Sequence, residues 1–353
     1  MHKKETIDES DAVNPNNQKI VDEFKRLIDQ IKIQIDNAGK TSEYVVNNFR
    51  LKQISAALLN IKQYPKEIKN GSDLKDIKGI GKGTISRIDE ILKTGTLSEI
   101  KISETERKFS KSIEDLEQIH GIGHKTAYDL VNKYNIRSIE DLEKAYNDGI
   151  LELNDQILTG LKYNGVYQKN IPRSEVTEIK EYLEKEVKTI HKKLTITICG
   201  SYRRQKPVSN DIDVLLAHPD IKTKLQLSKQ NEDNYLIKFI EKLRKNKFIL
   251  DDLTDKNPEI KYMGYCKLGS NPIRRIDIRY IPFDSYSTAI LYFTGSGPFN
   301  KKMRRLAEQL GYLLNEYGLY KLDGLKKIRI RIESEKDVFD ELGMEYLEPS
   351  QRI

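Results

Sequence analysis

The chain changes its hydrophobic period once, near residue 194, and that switch limits it to a helical part followed by a part built on a sheet. Before the switch, Ile20, Phe24, Leu27, Ile28, Ile31 and Ile35 recur at the three-and-four spacing that lines one face of a helix. Residues 18–193 read as mostly helical, broken by glycine turns at Gly71, 79–83, Gly95 and 121–123. After it, 195–198, 212–216, 276–281 and 328–332 have the β-branched content of strands. The interval between the first two of these does not fit a helix, whereas 236–245 and 301–310 read as helices. The expected fold is multidomain, α first and α+β second.

Composition agrees with this and narrows the class. A chain of 353 residues has room for two or three domains. With 37% hydrophobic and 33% charged residues it is neither fibrous nor membrane-spanning. The net charge of +7 suits a polyanionic partner, although 61 basic residues among 54 acidic ones also describe an ordinary mixed surface. Cys199 and Cys266 form no CxxC pair and have no zinc spacing, so they read as buried free thiols in a reducing compartment. Residues 1–17 lack the apolar core of a signal peptide and read as a loose tail. An intracellular location is expected, with nucleus and cytoplasm equally open.

One pattern repeats. Ile77-Lys78-Gly79-Ile80-Gly81 precedes a helical run, and Ile119-His120-Gly121-Ile122-Gly123 does the same, each expected to follow an apolar helix. This is the pattern of a helix-hairpin-helix. Its glycines allow unusual backbone angles and close approach of another backbone. Free N–H groups at the start of the second helix can then bind a DNA phosphate without reading sequence. Gly79, Gly81, Lys82 and Thr84 are the candidate contacts in the first copy, and Gly121, Gly123, Lys125 and Thr126 in the second.

The chemistry sits in the second half. Gly200-Ser201 follows a strand, and residues 202–210 separate it from Asp211-Ile212-Asp213-Val214. Alternation sends Asp211 and Asp213 to one face and Ile212 and Val214 to the other. Two carboxylates side by side repel unless a cation lies between them, and magnesium takes such oxygen ligands. In Arg275-Ile276-Asp277-Ile278-Arg279 the isoleucines face the core, and Arg275, Asp277 and Arg279 share the opposite face. If the two strands are neighbours, Asp277 joins the pair. Three carboxylates can hold two metals about 3.5–4 Å apart, the arrangement used for in-line phosphoryl displacement.

These residues carry a resemblance. Gly-Ser, nine residues, then Asp-Ile-Asp resembles the signature of the nucleotidyltransferase superfamily. Gly200-Ser201-Tyr202-Arg203-Arg204 and Arg274-Arg275-Ile276-Asp277-Ile278-Arg279 narrow it to the X family of DNA polymerases. Leu291-Tyr292-Phe293-Thr294-Gly295-Ser296-Gly297-Pro298-Phe299-Asn300-Lys301 resembles the nucleotide-binding segment of its beta type. Asn315-Glu316-Tyr317 and Ile171-Pro172-Arg173 also match, and the resemblance runs from about residue 20 to the C-terminus.

The resemblance implies an enzyme that fills short gaps in base-excision or break repair from deoxynucleoside triphosphates. Asp211 and Asp213 would bind two magnesium ions, replaceable by manganese. Asp277 would bind the catalytic one and help activate the primer 3′-hydroxyl. Gly200, Ser201, Arg204, Ser209 and Asn210 would hold the triphosphate. Tyr292, Phe293 and Gly295 would pack the incoming sugar. Asn300 and Arg304 would touch the minor groove at the nascent pair, and Lys301 and Arg275 would lie by template and DNA. Arg279 would pair with a metal-binding carboxylate in the open state. The implied layout is a tail at 1–17, a helical lyase-like domain with the first hairpin at 18–103 and a second helix-hairpin-helix domain at 104–172. A mixed-sheet catalytic palm at 173–283 and a small α+β nucleotide-selecting domain at 284–353 complete it. The implied partners are gapped or nicked DNA and repair proteins, with a monomeric chain, no membrane, and a sodium or potassium ion at each hairpin.

The sequence departs from the family at several places, among them Phe49 and Ile54 near the 5′-phosphate and Asn170, where an arginine often assists the triphosphate. Arg87 stands where the lyase lysine is usual, and an arginine stays protonated and cannot form a Schiff base. If lyase chemistry exists, Lys82 or Lys78 would have to act, while Arg50 and Lys75 keep positive charge for a 5′-phosphate. Asn210 replaces a glycine, and Gly297 replaces an aspartate over the base. Two other functions compete with the templated polymerase: a template-independent nucleotidyltransferase on the same core, and a catalytically inactive repair scaffold. Asn300, Lys301 and Arg304 argue against the first, and three retained carboxylates against the second.

Overall fold

The computed structural model describes residues 12–38, 41–101, 103–167, 169–254, 258–324 and 326–352. The chain divides into two compact units, Met1–Gln118 with Ile122–Asp148, and Ile119–Gly121 with Gly149–Ile353. Among the described residues no helix is long and apolar enough to cross a membrane.

The first unit is helical. Its elements are α1 (Gln18–Ala38), α2 (Ser42–Gln63), α3 (Lys82–Thr94), α4 (Glu104–Glu117), α5 (His124–Tyr134) and α6 (Ile139–Asn147). Ile20, Phe24, Leu27 and Ile31 of α1 pack on Ile54, Ala57 and Ile61 of α2 and on Ile88 and Ile91 of α3. The spacing visible in the sequence is thus the packing face. Ser103 and Glu106 form a reciprocal cap at the start of α4.

Two expectations change here. Residues 1–11 of the expected tail lie outside the described residues, but 12–17 are not loose. Asn17 is buried, accepting from Ile68 N at 2.8 Å and donating to Lys66 O at 2.9 Å. A short polar segment anchors itself by side-chain hydrogen bonds that hydrophobic counting does not see. The first hairpin is also preceded by one 3-10 turn, Gly71–Leu74, and not by an α-helix, since α2 ends at Gln63 before Pro65.

The second unit opens with α7 (Asp155–Tyr163), β1 (Ile171–Pro172) and α8 (Arg173–Ile190). Then come β2 (Thr195–Ile198), α9 (Gly200–Arg203), β3 (Val208–Ser209), β4 (Ile212–Ala217), α10 (Lys224–Ser228) and α11 (Tyr235–Lys245). β5 (Ile249–Asp252), β6 (Lys261–Cys266) and β7 (Arg274–Tyr280) complete a mixed five-stranded sheet, ordered β2-β4-β7-β6-β5. β4 and β7 are parallel, and the other pairs are antiparallel. The gap between β2 and β4 holds one helical turn, α9; because those strands are antiparallel, no crossover helix is needed. Val176, Ile179, Leu183 and Val187 of α8 and Leu236, Phe239, Ile240 and Leu243 of α11 cover one face of the sheet. The other face carries the site, with Ala289 packed on Leu215 and α7 on Tyr265 beside it. Both cysteines are buried and free, Cys266 against the helix-covered face and Cys199 in a small cluster with Leu215 and Ala289.

The C-terminal part of this unit contains α12 (Tyr286–Thr294), α13 (Gly297–Gln309), β8 (Tyr312–Asn315), β9 (Gly318–Asp323), β10 (Lys326–Arg329) and α14 (Glu335–Glu341). Of the last expected strand, 328–332, only Ile328 and Arg329 lie in the ladder, as the end of β10. A buried charge network ties this part to α9. Glu335 accepts from Arg203 Nη2 at 2.5 Å and from Arg352 Nη1 at 2.6 Å, and Arg352 is fully buried.

Candidate active site

The site grows from the register of two strands. On the parallel pair β4 and β7, Asp213 stands opposite Asp277. Both leave the face that α8 and α11 do not cover, and Asp211, one step before β4, points the same way. The chain turning into α9 passes directly over them. Gly200 adopts φ +54°, and a Cβ there would meet Asp213 Oδ2 at 2.1 Å, so only glycine fits.

Gathering carboxylates on one face shows in their acidity. Burial pushes Asp213 up to about 7, helped by the charges of Asp211 and Asp277. Burial and Asp277 likewise raise Asp211. A cation would relieve both effects, since it would replace lost solvent and cancel the repulsion.

A cleft of about 380 Å³ opens over Asp211 and Asp213. Gly200, Ser201, Arg204 and Asn210 form one wall, and Tyr292 and Phe293 of α12, Gly295 in the turn after it, and Gly297 and Asn300 of α13 form the other. Ser209 is buried beneath, accepting from the Ser201 hydroxyl at 2.8 Å. Arg204 Nη1 donates to Thr294 O at 2.5 Å, and Asn300 Nδ2 to Tyr292 O at 2.7 Å. Arg304 lies over the Tyr292 ring at 4.6 Å, and Lys301 is exposed on the same helix. The residues expected to bind nucleotide therefore converge, although they come from segments far apart in sequence.

Asp277 does not line this cleft. Arg275 Nη2 donates to both of its oxygens at 2.9 Å. Among the described residues no three His, Cys, Asp or Glu side chains are grouped to hold a metal ion. Arg275, expected to lie by the DNA, contacts a carboxylate of the site. One expectation is corrected: Arg279, expected to pair with a metal-binding carboxylate, lies over the Phe293 ring at 5.7 Å instead. The register gives the reason: Arg279 stands beside Leu215, one pleat beyond Asp213. The donor set still suits a hard divalent cation. Asp211 and Asp213 would hold it, and Asp277 would join on release by Arg275.

The two hairpin turns match each other. Gly79 and Gly121 both have φ +98°, and Gly81 and Gly123 cap α3 and α5 without a side-chain hydrogen bond. A Cβ on Gly81 or Gly123 would meet nothing within 4 Å, so the helix starts are open to an incoming anion. Lys82, Lys125 and Thr126 are exposed beside them. Thr84 is buried, which removes it as a phosphate contact.

At the lyase position, Arg87 pairs with Glu99, which also accepts from Arg50 Nη2 at 2.5 Å. Arg50 therefore has a carboxylate partner already, while Lys75 is exposed. Two residues that sequence reading passes over lie beside the Arg275–Asp277 pair. Tyr265 of β6 stands across from Arg275, and His120 reaches both. Only the histidine inside the second Gly-Ile-Gly frame could have signalled this.

The comparisons with known proteins fall on the same segments. The DNA polymerase beta palm model matches residues 170–283, and the DNA polymerase beta thumb model matches 289–353. A helix-hairpin-helix domain matches 15–97, and the fingers domain of DNA polymerase lambda matches 114–165. DNA polymerase lambda of Arabidopsis thaliana is 33% identical over 310 residues, covering 83% of this chain and 56% of that protein. DNA polymerase lambda of Rattus norvegicus is 28% identical over 357 residues, covering 97% of this chain and 58% of that protein. DNA nucleotidylexotransferase of Monodelphis domestica is 25% identical over 379 residues, covering 97% of this chain and 68% of that protein. The chain spans little more than half the length of the two lambda relatives.

A mixed sheet with Asp-x-Asp on one strand, a third aspartate on its parallel neighbour and a Gly-Ser turn above them defines a nucleotidyltransferase palm. With palm, thumb, fingers and hairpin segments matched in order along nearly the whole chain, it belongs to the X family of DNA polymerases.

Proposed function

We propose that this chain is a template-directed DNA polymerase that fills short gaps during base-excision or break repair. The observation that carries the reading is the cleft where Asp211 and Asp213 face Ser201, Arg204, Tyr292, Phe293 and Asn300, with Asp277 one strand away. Ser201 and Arg204 supply donors for a triphosphate, the guanidinium in a fixed fork. Tyr292 and Phe293 pack the sugar, and Asn300, Lys301 and Arg304 face the nascent pair and template. Two magnesium ions, replaceable by manganese, would make the primer hydroxyl more acidic and neutralise the leaving pyrophosphate. The primer 3′-oxygen bonds to the α-phosphorus, the bond to pyrophosphate breaks, and the hydroxyl proton goes to solvent.

The two hairpins hold gapped duplex DNA by its phosphates, each with a sodium or potassium ion on backbone carbonyls. The N-terminal domain binds the downstream 5′-phosphate. Arg87 gives it no Schiff-base nucleophile, so borohydride trapping on abasic-site DNA should yield no covalent adduct. An adduct would sink this part of the reading. The chain acts as a monomer inside the cell, on deoxynucleoside triphosphates and alongside other repair proteins.

Similarity to a nucleotidylexotransferase favours a second reading, template-independent addition on the same core. Insertion into a one-nucleotide gap opposite each of the four template bases separates the two. Insertion of the complementary nucleotide supports the templated reading, and insertion indifferent to template supports the transferase.

A further inference from the structure

Tyr265 and Arg275 are cross-strand partners, so their side chains share the sheet face that carries Asp277. Tyr265 is fully buried, with its hydroxyl 2.9 Å from His120 Nδ1. The other ring nitrogen, Nε2, is bonded to Arg275 Nη1, while Arg275 Nη2 holds Asp277. A guanidinium only donates, so Nε2 must accept. That puts the ring proton on Nδ1, which donates to the Tyr265 oxygen. Burial and the Arg275 charge push His120 down to about 4, in keeping with a neutral ring.

The surroundings hold this imidazole in place. Tyr163 stacks on Tyr265 at 4.0 Å and donates to Asp251 at 2.7 Å. Tyr167 lies 5.6 Å from the His120 ring. A Cβ on Gly160 would meet the His120 carbonyl oxygen at 2.1 Å, so α7 backs directly on this stretch of main chain.

We propose that His120 is a positioning residue that acts through Arg275 to release Asp277 into the active site. The proposal rests on the polymerase reading. Arg275 now occupies Asp277, and the carboxylate must leave it to complete the metal-binding set. With His120 accepting from Nη1, Arg275 keeps a partner when Asp277 departs. Without that acceptor, Arg275 has a buried donor unmet and tightens on Asp277, in competition with any cation. His120 lines no part of the nucleotide cleft, so nucleotide affinity should be spared.

The test compares His120→Leu, which removes the acceptor, with His120→Gln, whose amide oxygen reaches about as far as Nε2. Manganese titration of the DNA-free protein, followed by electron paramagnetic resonance, reads binding without turnover. Binding should weaken about tenfold in His120→Leu and recover in His120→Gln. Single-turnover insertion should slow by a similar factor, with the half-saturating nucleotide concentration unchanged. Tyr265→Phe, which removes only the hydroxyl, should shift both readouts the same way, and it carries the test if His120→Leu does not fold. Wild-type manganese affinity in His120→Leu or Tyr265→Phe overturns the proposal, as does equal impairment of the Leu and Gln variants. If the wild type inserts no nucleotide, the polymerase reading fails on its own, and the manganese titration still decides whether His120 governs Asp277.

Discussion

Asp213 carries the electrostatic cost of the site. Its pKa is raised by burial first, then by Asp211 and Asp277, to about 7. An unfolded aspartate titrates near ~3.9, so between those values the folded protein holds a proton that the unfolded chain lacks. The stabilisation is complete below about pH 4 and is lost as pH rises to about 7. The metal-free protein should therefore melt at lower temperature at pH 8 than at pH 5, and Asp213→Asn should flatten that slope. Magnesium should raise the melting temperature at pH 8 more than at pH 5. Calorimetry across this pH series checks both, and parallel slopes for wild type and Asp213→Asn would contradict the account. At the same scale, Arg275 and Arg279 share a face with Asp277. Alternation alone cannot say which of them binds it, because that depends on β6, on Leu215 beside Arg279 and on His120.

The elements that carry charge were the most legible in the sequence. β7 alternates Ile with Asp or Arg, and β4 opens the same way at Ile212-Asp213-Val214 before both its faces are buried, so both strands are legible almost to their ends. β5 and β6 were missed: Ile249-Leu250-Asp251-Asp252 is short and acidic, and Gly264 interrupts Tyr262-Met263-Gly264-Tyr265. Their pairing is set by contact with β7, which is not a local property. The hairpins were legible because both φ +98° glycines are fixed by the Gly-Ile-Gly frame. Which flanking hydroxyl is exposed, Thr126 or Thr84, depends on packing and was not legible. If open helix starts and adjacent lysines hold phosphates, Lys125→Glu should weaken gapped-duplex binding regardless of sequence. The slope of log affinity against log salt should also fall by about 1. An unchanged slope, or a loss confined to particular sequences, would count against phosphate binding at the second hairpin.

Within the second unit, the C-terminal part is tied to the palm by Arg203, Glu335 and Arg352. Arg352 is fully buried and Glu335 nearly so, which makes this network costly to break. Glu335→Ala leaves two guanidinium groups without their carboxylate and should cost about 3–5 kcal/mol. Urea denaturation would show it, and a loss under about 1 kcal/mol, the range of exposed pairs, would contradict it. Across the molecule, the order of segments along the chain was readable because each motif is local. The held state of Asp277 was not, since it arises where β6, β7 and His120 meet.

On the proposed reading, Asp211, Asp213 and Asp277 together perform nucleotidyl transfer. The most direct test is magnesium-dependent insertion of one nucleotide into a gap with a 5′-phosphate, by wild type and Asp277→Ala. The wild type should insert the templated nucleotide and the variant should lose about 10³-fold or more, with gapped-DNA binding retained. Equal insertion by both would show that Asp277 is outside the chemistry, and tight gap binding with no wild-type insertion would make the chain a scaffold and not an enzyme.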